Sequence, residues 1–97
     1  MSEQEKKCVT VSRTFKLDVS TEVKELCAEN PNRIALNVWN NGSGAVYLLS
    51  AQNLTYADGF PIAAGGSRTD NESTNAYWII AASGTQNLRV EVISLKA

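Results

Sequence analysis

Few residues in this chain have types that could do chemistry. Asp58, Asp70 and Glu72 are carboxylates in or beside turn-rich segments, Cys8 and Cys27 are the two thiols, Gly65-Gly66 is a glycine pair, and there is no histidine. Without histidine, Ser/His/Asp and Cys/His catalysis and most zinc or copper sites fall away together. Asp70-x-Glu72 offers two oxygen-bearing side chains, but calcium takes about six to eight oxygens, and no Asp/Asn/Asp-Gly loop pattern surrounds the pair. A glycosidase needs two carboxylates about 5 to 9 Å apart across a cleft, and a 97-residue chain has little room for one. Ala63-Ala64-Gly65-Gly66-Ser67 lacks the lysine of a phosphate-binding loop and the surrounding strand and helix, so it is a turn. The expectation is a protein that is not an enzyme and takes no cofactor or metal.

Composition narrows the remaining classes. Ninety-seven residues form one domain with a small core. At 43% apolar and 20% charged residues, the chain has the balance of an ordinary globule, with no apolar run long enough to span a membrane. Nine basic and ten acidic residues leave no basic face for phosphates, so neither nucleic acid nor membrane is an expected partner. The opening MSEQEKK is polar, without the apolar segment and cleavage site of a secretory signal, which points to synthesis in a reducing cytoplasm and to free thiols at Cys8 and Cys27 rather than a bridge. Twelve of the nineteen charges lie in residues 1–33 and seven in the rest, so the body is polar but nearly uncharged.

Period-two alternation predicts the elements that must position any surface. From Val9 to Val19 the odd positions Val9, Val11, Phe15, Leu17 and Val19 are apolar, with Arg13 the one interruption. Eleven residues would run about 37 Å at about 3.4 Å each, long enough to project, bend at a bulge or pair with another chain. Residues 20–29 follow helical spacing at Val23, Leu26 and Cys27 behind a capping Ser20, so a short helix is expected there in preference to a strand. Pro31 ends that element. Strands follow at Arg33–Trp39, Ala45–Leu49, near Ile62, Ser67–Asp70, Ala76–Ala82 and Leu88–Leu95, separated by Gly-, Asn- and Asp-bearing turns. This pattern predicts an all-β fold, a small antiparallel β-sandwich or jelly-roll-like barrel, with an N-terminal strand or arm over 1–20 and a body over 21–97 within a single domain.

Within NPNRIALNVWNNGSGAVYL, alternation sends Ile34, Leu36 and Val38 to the core and Ala35, Asn37 and Trp39 outward. Asn41-Gly42 reads as the turn of a hairpin, with Val46 and Leu48 pairing back across it. Trp39 is then either covered by a neighbouring loop or part of an interface. Tyr56 and Phe60 fall in the loop LTYADGFPIAAGGS, which either caps its own sheet or offers aromatic faces to a protein or a sugar. Val9, Val11, Arg13, Phe15, Trp39, Tyr56 and Phe60 are accordingly the candidate partner-interface residues.

The order Asn-Pro-x-Arg strand, Asn-x-Gly turn, Val-Tyr-Leu strand, Gly-x-Pro-hydrophobic segment with Gly-Gly-Ser, and a closing alternating strand after Ser-Gly-Thr resembles small structural proteins of tailed bacteriophages over roughly residues 30–93. The shared positions are Asn30, Pro31, Arg33, Asn41, Gly42, Tyr47, Gly59, Pro61, Gly65, Gly66, Ser67, Gly84 and Thr85. The resemblance implies a β-sandwich on the virion. Such a protein binds the outside of the capsid and stabilises it as a cement or decoration protein held on the major capsid protein. It self-associates, a trimer being favoured, through an edge-pairing first strand. The alternatives are a head-tail, tail or baseplate component, or a carbohydrate-binding host-recognition module using Trp39 or Tyr56.

Overall fold

The computed structural model describes residues 10–71 and 73–95. Among the described residues the strands are β1 (Thr10–Val19), β2 (Lys24–Cys27), β3 (Arg33–Asn40), β4 (Val46–Leu49), β5 (Phe60–Ile62), β6 (Ser67–Asp70), β7 (Tyr77–Ala81) and β8 (Gln86–Leu95), with a 3-10 turn at Tyr56–Asp58. They form two four-stranded antiparallel sheets, β1-β8-β3-β6 (sheet A) and β2-β7-β4-β5 (sheet B). Successive strands mostly alternate between the sheets, giving the double-sheet jelly roll that the alternation predicted.

The core lies between the sheets. Leu36, Val38, Leu88, Val90 and Val19 of sheet A meet Leu26, Val46, Leu48, Ile62, Ile79 and Ala81 of sheet B. Strand-on-strand alternation supplies these side chains, every second residue of each strand facing inward.

Two elements depart from expectation. Residues 24–27 form a strand, not a helix, because the backbone before them is already committed to sheet B: the Ala81 amide donates to the Ser20 carbonyl at 2.8 Å. The Ser20 hydroxyl accepts the Glu22 amide at 3.2 Å in a local turn instead of capping a helix. The second departure is the predicted hairpin. β3 and β4 belong to different sheets, so residues 41–45 arch over the end of the sandwich, and Val46 and Leu48 face Leu36 and Val38 across the core without pairing to them. β4 pairs instead with β5 and β7.

The register of β3 explains a third correction. Arg33 stands opposite Ser94 and Ala35 opposite Ile93, so Ile34 is an extra residue in a β-bulge. The bulge turns Ile34 outward, exposed, and puts Arg33 in the interior place that alternation had given to an isoleucine.

Candidate functional site

Buried polar side chains close both ends of the sandwich. At one end the Asn40 side chain, fully buried, donates to the Gly44 and Ile62 carbonyls at 2.8 and 2.9 Å and accepts the Gly42 amide at 2.9 Å. Gln86 Oε1 accepts the Ser43 and Gly44 amides at 2.9 and 3.0 Å, and its Nε2 donates to the Ser83 carbonyl at 3.0 Å. Gly42 does not have a positive φ; it is required by space, since a Cβ there would lie 2.3 Å from Gln86 Oε1 and 3.1 Å from the Gln86 Cα. The glycines with positive φ are Gly65 and Gly84, and the Gly65 amide bonds to the Asn40 carbonyl at 2.8 Å.

At the other end, Arg33 is 4% exposed. Its Nη1 donates to Cys27 Sγ at 3.3 Å and the Ala28 carbonyl at 3.2 Å, and its Nη2 to the carbonyls of Ser73 and Asn75 at 3.0 and 2.6 Å. One guanidinium thus ties the end of β2, the segment before β7 and the start of β3. Tyr77 lies under it, ring centroid 5.9 Å from the guanidinium carbon, and donates its hydroxyl to Asp70 Oδ2 at 2.6 Å. Asn30 begins the turn that delivers Arg33: its side chain accepts the Asn32 amide at 3.0 Å, its carbonyl accepts the Arg33 amide at 3.0 Å, and Pro31 occupies the second position. Burial pushes the Cys27 thiol above its ordinary range, with the nearby Arg33 charge opposing the shift. Tyr77 is likewise raised, by burial and by its hydrogen bond to Asp70.

The candidate interface residues fall on three separate surfaces. Val9 lies outside the described residues, as do Cys8 and Glu72. Val11, Arg13 and Phe15 share the inward face of β1, but only the C-terminal half of that strand is covered: Val19 is buried, Phe15 and Leu17 are half-buried, Arg13 is exposed, and Val11 is 48% exposed. Sheet B is too short to reach further, its strands having three to five residues against ten in β1 and β8. β1 pairs with β8 along its whole length, and its other edge is unpaired among the described residues. Arg13 lies over the Phe15 ring at 5.0 Å.

Trp39 projects from the opposite, outer face of sheet A and is 49% exposed, its Nε1 donating to the Gly65 carbonyl at 3.3 Å. Tyr56 and Phe60 belong to the side of sheet B. The loop carrying Tyr56 folds back on that sheet, with the Tyr56 and Tyr47 ring centroids 5.6 Å apart. Gly59 fits so tightly that a Cβ would lie 2.8 Å from both the Leu48 carbonyl oxygen and Leu49 Cδ2, and Leu49, which faces outward from sheet B, is buried beneath this cap. Phe60 is exposed at the edge, where the Arg68 guanidinium stacks on it at 4.4 Å and bridges β6 of sheet A to β5 of sheet B.

The carboxylates are engaged in local structure. Asp58 Oδ2 accepts the Thr55 amide at 3.0 Å and hydroxyl at 3.2 Å in the 3-10 turn, and Asp70 accepts from Tyr77. Among the described residues, no three His, Cys, Asp or Glu side chains converge as a metal site, and no helix is long and apolar enough to cross a membrane. Alternation missed Asn40 and Gln86, which are polar residues at strand ends. Their one signal was position, each adjoining a glycine-containing turn at the end of a core-facing row.

No family model matches the chain, and no curated protein matches it. Among solved structures, the stem and receptor-binding domain of the spike protein P1 from bacteriophage PM2 is similar at a TM-score of 0.59 and 15% identity, over 76% of this chain and 30% of that one. The chain therefore spans under a third of the stem and receptor-binding domain it matches. A subunit of Bacillus endospore appendages, a family of disulfide-linked pili, is similar at a TM-score of 0.53 and 14% identity, over 94% of this chain and 92% of the other. At these identities the shared property is the jelly-roll fold.

Proposed function

We propose that the chain is a structural subunit of a surface assembly, working by being held against other proteins and not by turnover, and that its setting is a virion. The observation that carries this reading is the β1–β8 ladder. Ten residues of β1 make a run of about 34 Å with one edge unpaired among the described residues, and its N-terminal half shows Val11 and Arg13 where a core sheet would be covered. An open edge and an uncovered half-apolar face are the means by which strands extend a neighbour's sheet. The nearly uncharged body suits the same role, since few ions need be stripped of water on docking. The two similar structures named above come from external assemblies, a phage spike and a bacterial appendage, which supports this setting.

Within that role, the finer reading is a capsid decoration protein bound to the major capsid protein, self-associating as a trimer through β1. Many copies, each burying about 1,000 Å² or more, would stabilise a shell collectively. Densitometry of purified virions tests it. Hundreds of copies per particle support decoration; a dozen or fewer place the chain in a head-tail or tail part instead.

A second reading is a pilus-type subunit, favoured by the full-length correspondence with the endospore appendage protein. In that case the purified chain polymerises into filaments, and Cys27, half-buried at the Arg33 end, and Cys8 are the thiols available for cross-links. Electron microscopy with reducing and non-reducing gels separates the two: filaments dispersed by a thiol reductant favour the appendage, and discrete oligomers indifferent to reductant favour decoration.

A further inference from the structure

The outer face of sheet A carries two parallel rows of side chains that the assembly role does not use. One row crosses the strands as Ser67, Trp39, Arg89 and Lys16, and the next as Thr69, Asn37, Glu91 and Thr14, directly opposed by the strand register. All but Lys16 line a shallow groove of about 320 Å³. That volume is at the small end of ligand sites, which run from roughly 300 to 1,000 Å³.

The second row is fixed in place by its own hydrogen bonds. Thr69 Oγ1 donates to Asn37 Oδ1 at 2.7 Å, Asn37 Nδ2 donates to Glu91 Oε1 at 2.9 Å, and Ser12 Oγ donates to Glu91 Oε2 at 2.7 Å. This chain spans all four strands of the sheet and holds an amide, a carboxylate and hydroxyls in set orientations. In the first row, the bond from Trp39 Nε1 to Gly65 satisfies the indole's one donor and leaves the ring to act as an apolar plate.

We propose that this groove is a saccharide site taking an uncharged pyranose, with the apolar face of the sugar ring on Trp39 and its hydroxyls on the Asn37–Glu91 row and Arg89. The chemistry selects this class. A sugar ring has one C–H face, which stacks on an aromatic plate, and a rim of hydroxyls that both donate and accept, as the amide, carboxylate and guanidinium groups here require. On this face Lys16 and Arg89 are balanced by Glu91 and Asp18, and Arg68 alternates to the other side of β6, where its guanidinium stacks on Phe60, so the groove has no cationic excess to select a phosphate or an acidic sugar. A protein partner would need a contiguous apolar centre, whereas here one indole is ringed by polar groups. Tyr56 is not part of the site, since it lies over sheet B. The groove is on the face opposite Val11 and Arg13, so the inference stands or falls independently of the proposed assembly.

The test is a titration of isotope-labelled protein, followed by NMR, with the methyl glycosides of glucose, galactose, mannose and N-acetylglucosamine at millimolar concentrations. Shifts at the Trp39 indole N–H and at the Asn37 and Thr69 signals are expected with at least one of them. Trp39→Ala should weaken that binding at least tenfold, Asn37→Ala should weaken it while the thermal midpoint stays near that of the parent, and Tyr56→Ala should leave it unchanged. The proposal is overturned if none of the four sugars moves the groove signals, if Trp39→Ala binds as the parent does, or if Tyr56→Ala abolishes binding while Asn37→Ala does not.

Discussion

Replacing Arg33 by alanine removes the one side chain that ties three backbone segments at the projecting end of the sandwich. The guanidinium serves three carbonyls, those of Ala28, Ser73 and Asn75, and the Cys27 sulfur. A buried acceptor left without a donor costs about 1–3 kcal/mol. The cleft lined by Arg13, Cys27, Arg33 and Val92 admits water from one side and would recover part of this. The expected loss is therefore about 3–5 kcal/mol, at the upper end for point substitutions, out of a total of about 5–15 kcal/mol for a domain of this kind. At about 4–8 °C per kcal/mol for a domain near 100 residues, the thermal midpoint should fall by roughly 15–30 °C. Arg33→Lys keeps the charge but gathers its three donors at one point, so it reaches one loop and not both; about half the loss is expected. Urea and thermal unfolding followed by circular dichroism supply both numbers. A loss below about 1 kcal/mol for Arg33→Ala would refute the idea that this guanidinium organises the end of the fold.

Gly42→Ala and Gly65→Ala separate space from backbone conformation. The first drives a methyl into the buried Gln86 side chain and should cost about 2 kcal/mol or more. The second meets nothing within 4 Å but sits at φ 79°, and should cost about 1–2 kcal/mol; denaturant midpoints giving the reverse order would contradict the model of the arch. The Glu91 carboxyl is held below its ordinary range by the hydrogen bonds from Ser12 and Asn37. Its folded pKa being lowered, the stabilisation it carries is present above the unfolded glutamate pKa and is lost as pH falls through the lower folded value. NMR titration should place its midpoint below that of a free glutamate, and Ser12→Ala or Asn37→Ala should raise it. Burial raises the Cys27 thiol, so in the native protein it should react with iodoacetamide more slowly than after unfolding, and equal rates would count against its placement. Deleting residues 1–12 removes Val11 but leaves Phe15, Leu17 and Val19 on the core, so the domain should fold while docking or self-association weakens. Loss of folding would instead make the start of β1 essential to the sheet.

Period two was enough to find every described strand but Lys24–Cys27, because a half-buried strand writes its burial directly into alternate residues. Ser67–Asp70 came out at its observed bounds, and β1, β3 and β8 within a residue or two. Alternation carries no information about which sheet a strand joins, so the 41–45 segment read as a hairpin turn when it is an arch between layers. A single inserted residue reverses the rule locally, which is why Ile34 and Arg33 exchanged places. Lys24–Cys27 was misread because four residues of strand against β7 are decided by tertiary pairing and not by local propensity. Of the candidate interface residues, Trp39 was legible as pointing away from the core, but alternation left open whether it, Tyr56 and Phe60 are covered, and it put Val11 on the apolar face, where the structure exposes it because sheet B ends short of it. Their separation onto three surfaces was not, since it follows from the topology that distributes β1, β3 and β5 between two sheets.

The central claim is that this chain works as a repeated subunit held through the open edge and uncovered face of β1. A cryo-electron microscopy map of the intact particle that contains it tests this most directly. The account predicts many symmetry-related copies, each with the Val11–Phe15 stretch of β1 against another protein chain. A map in which the open edge and the Val11–Phe15 face of β1 meet only solvent in every copy would contradict it.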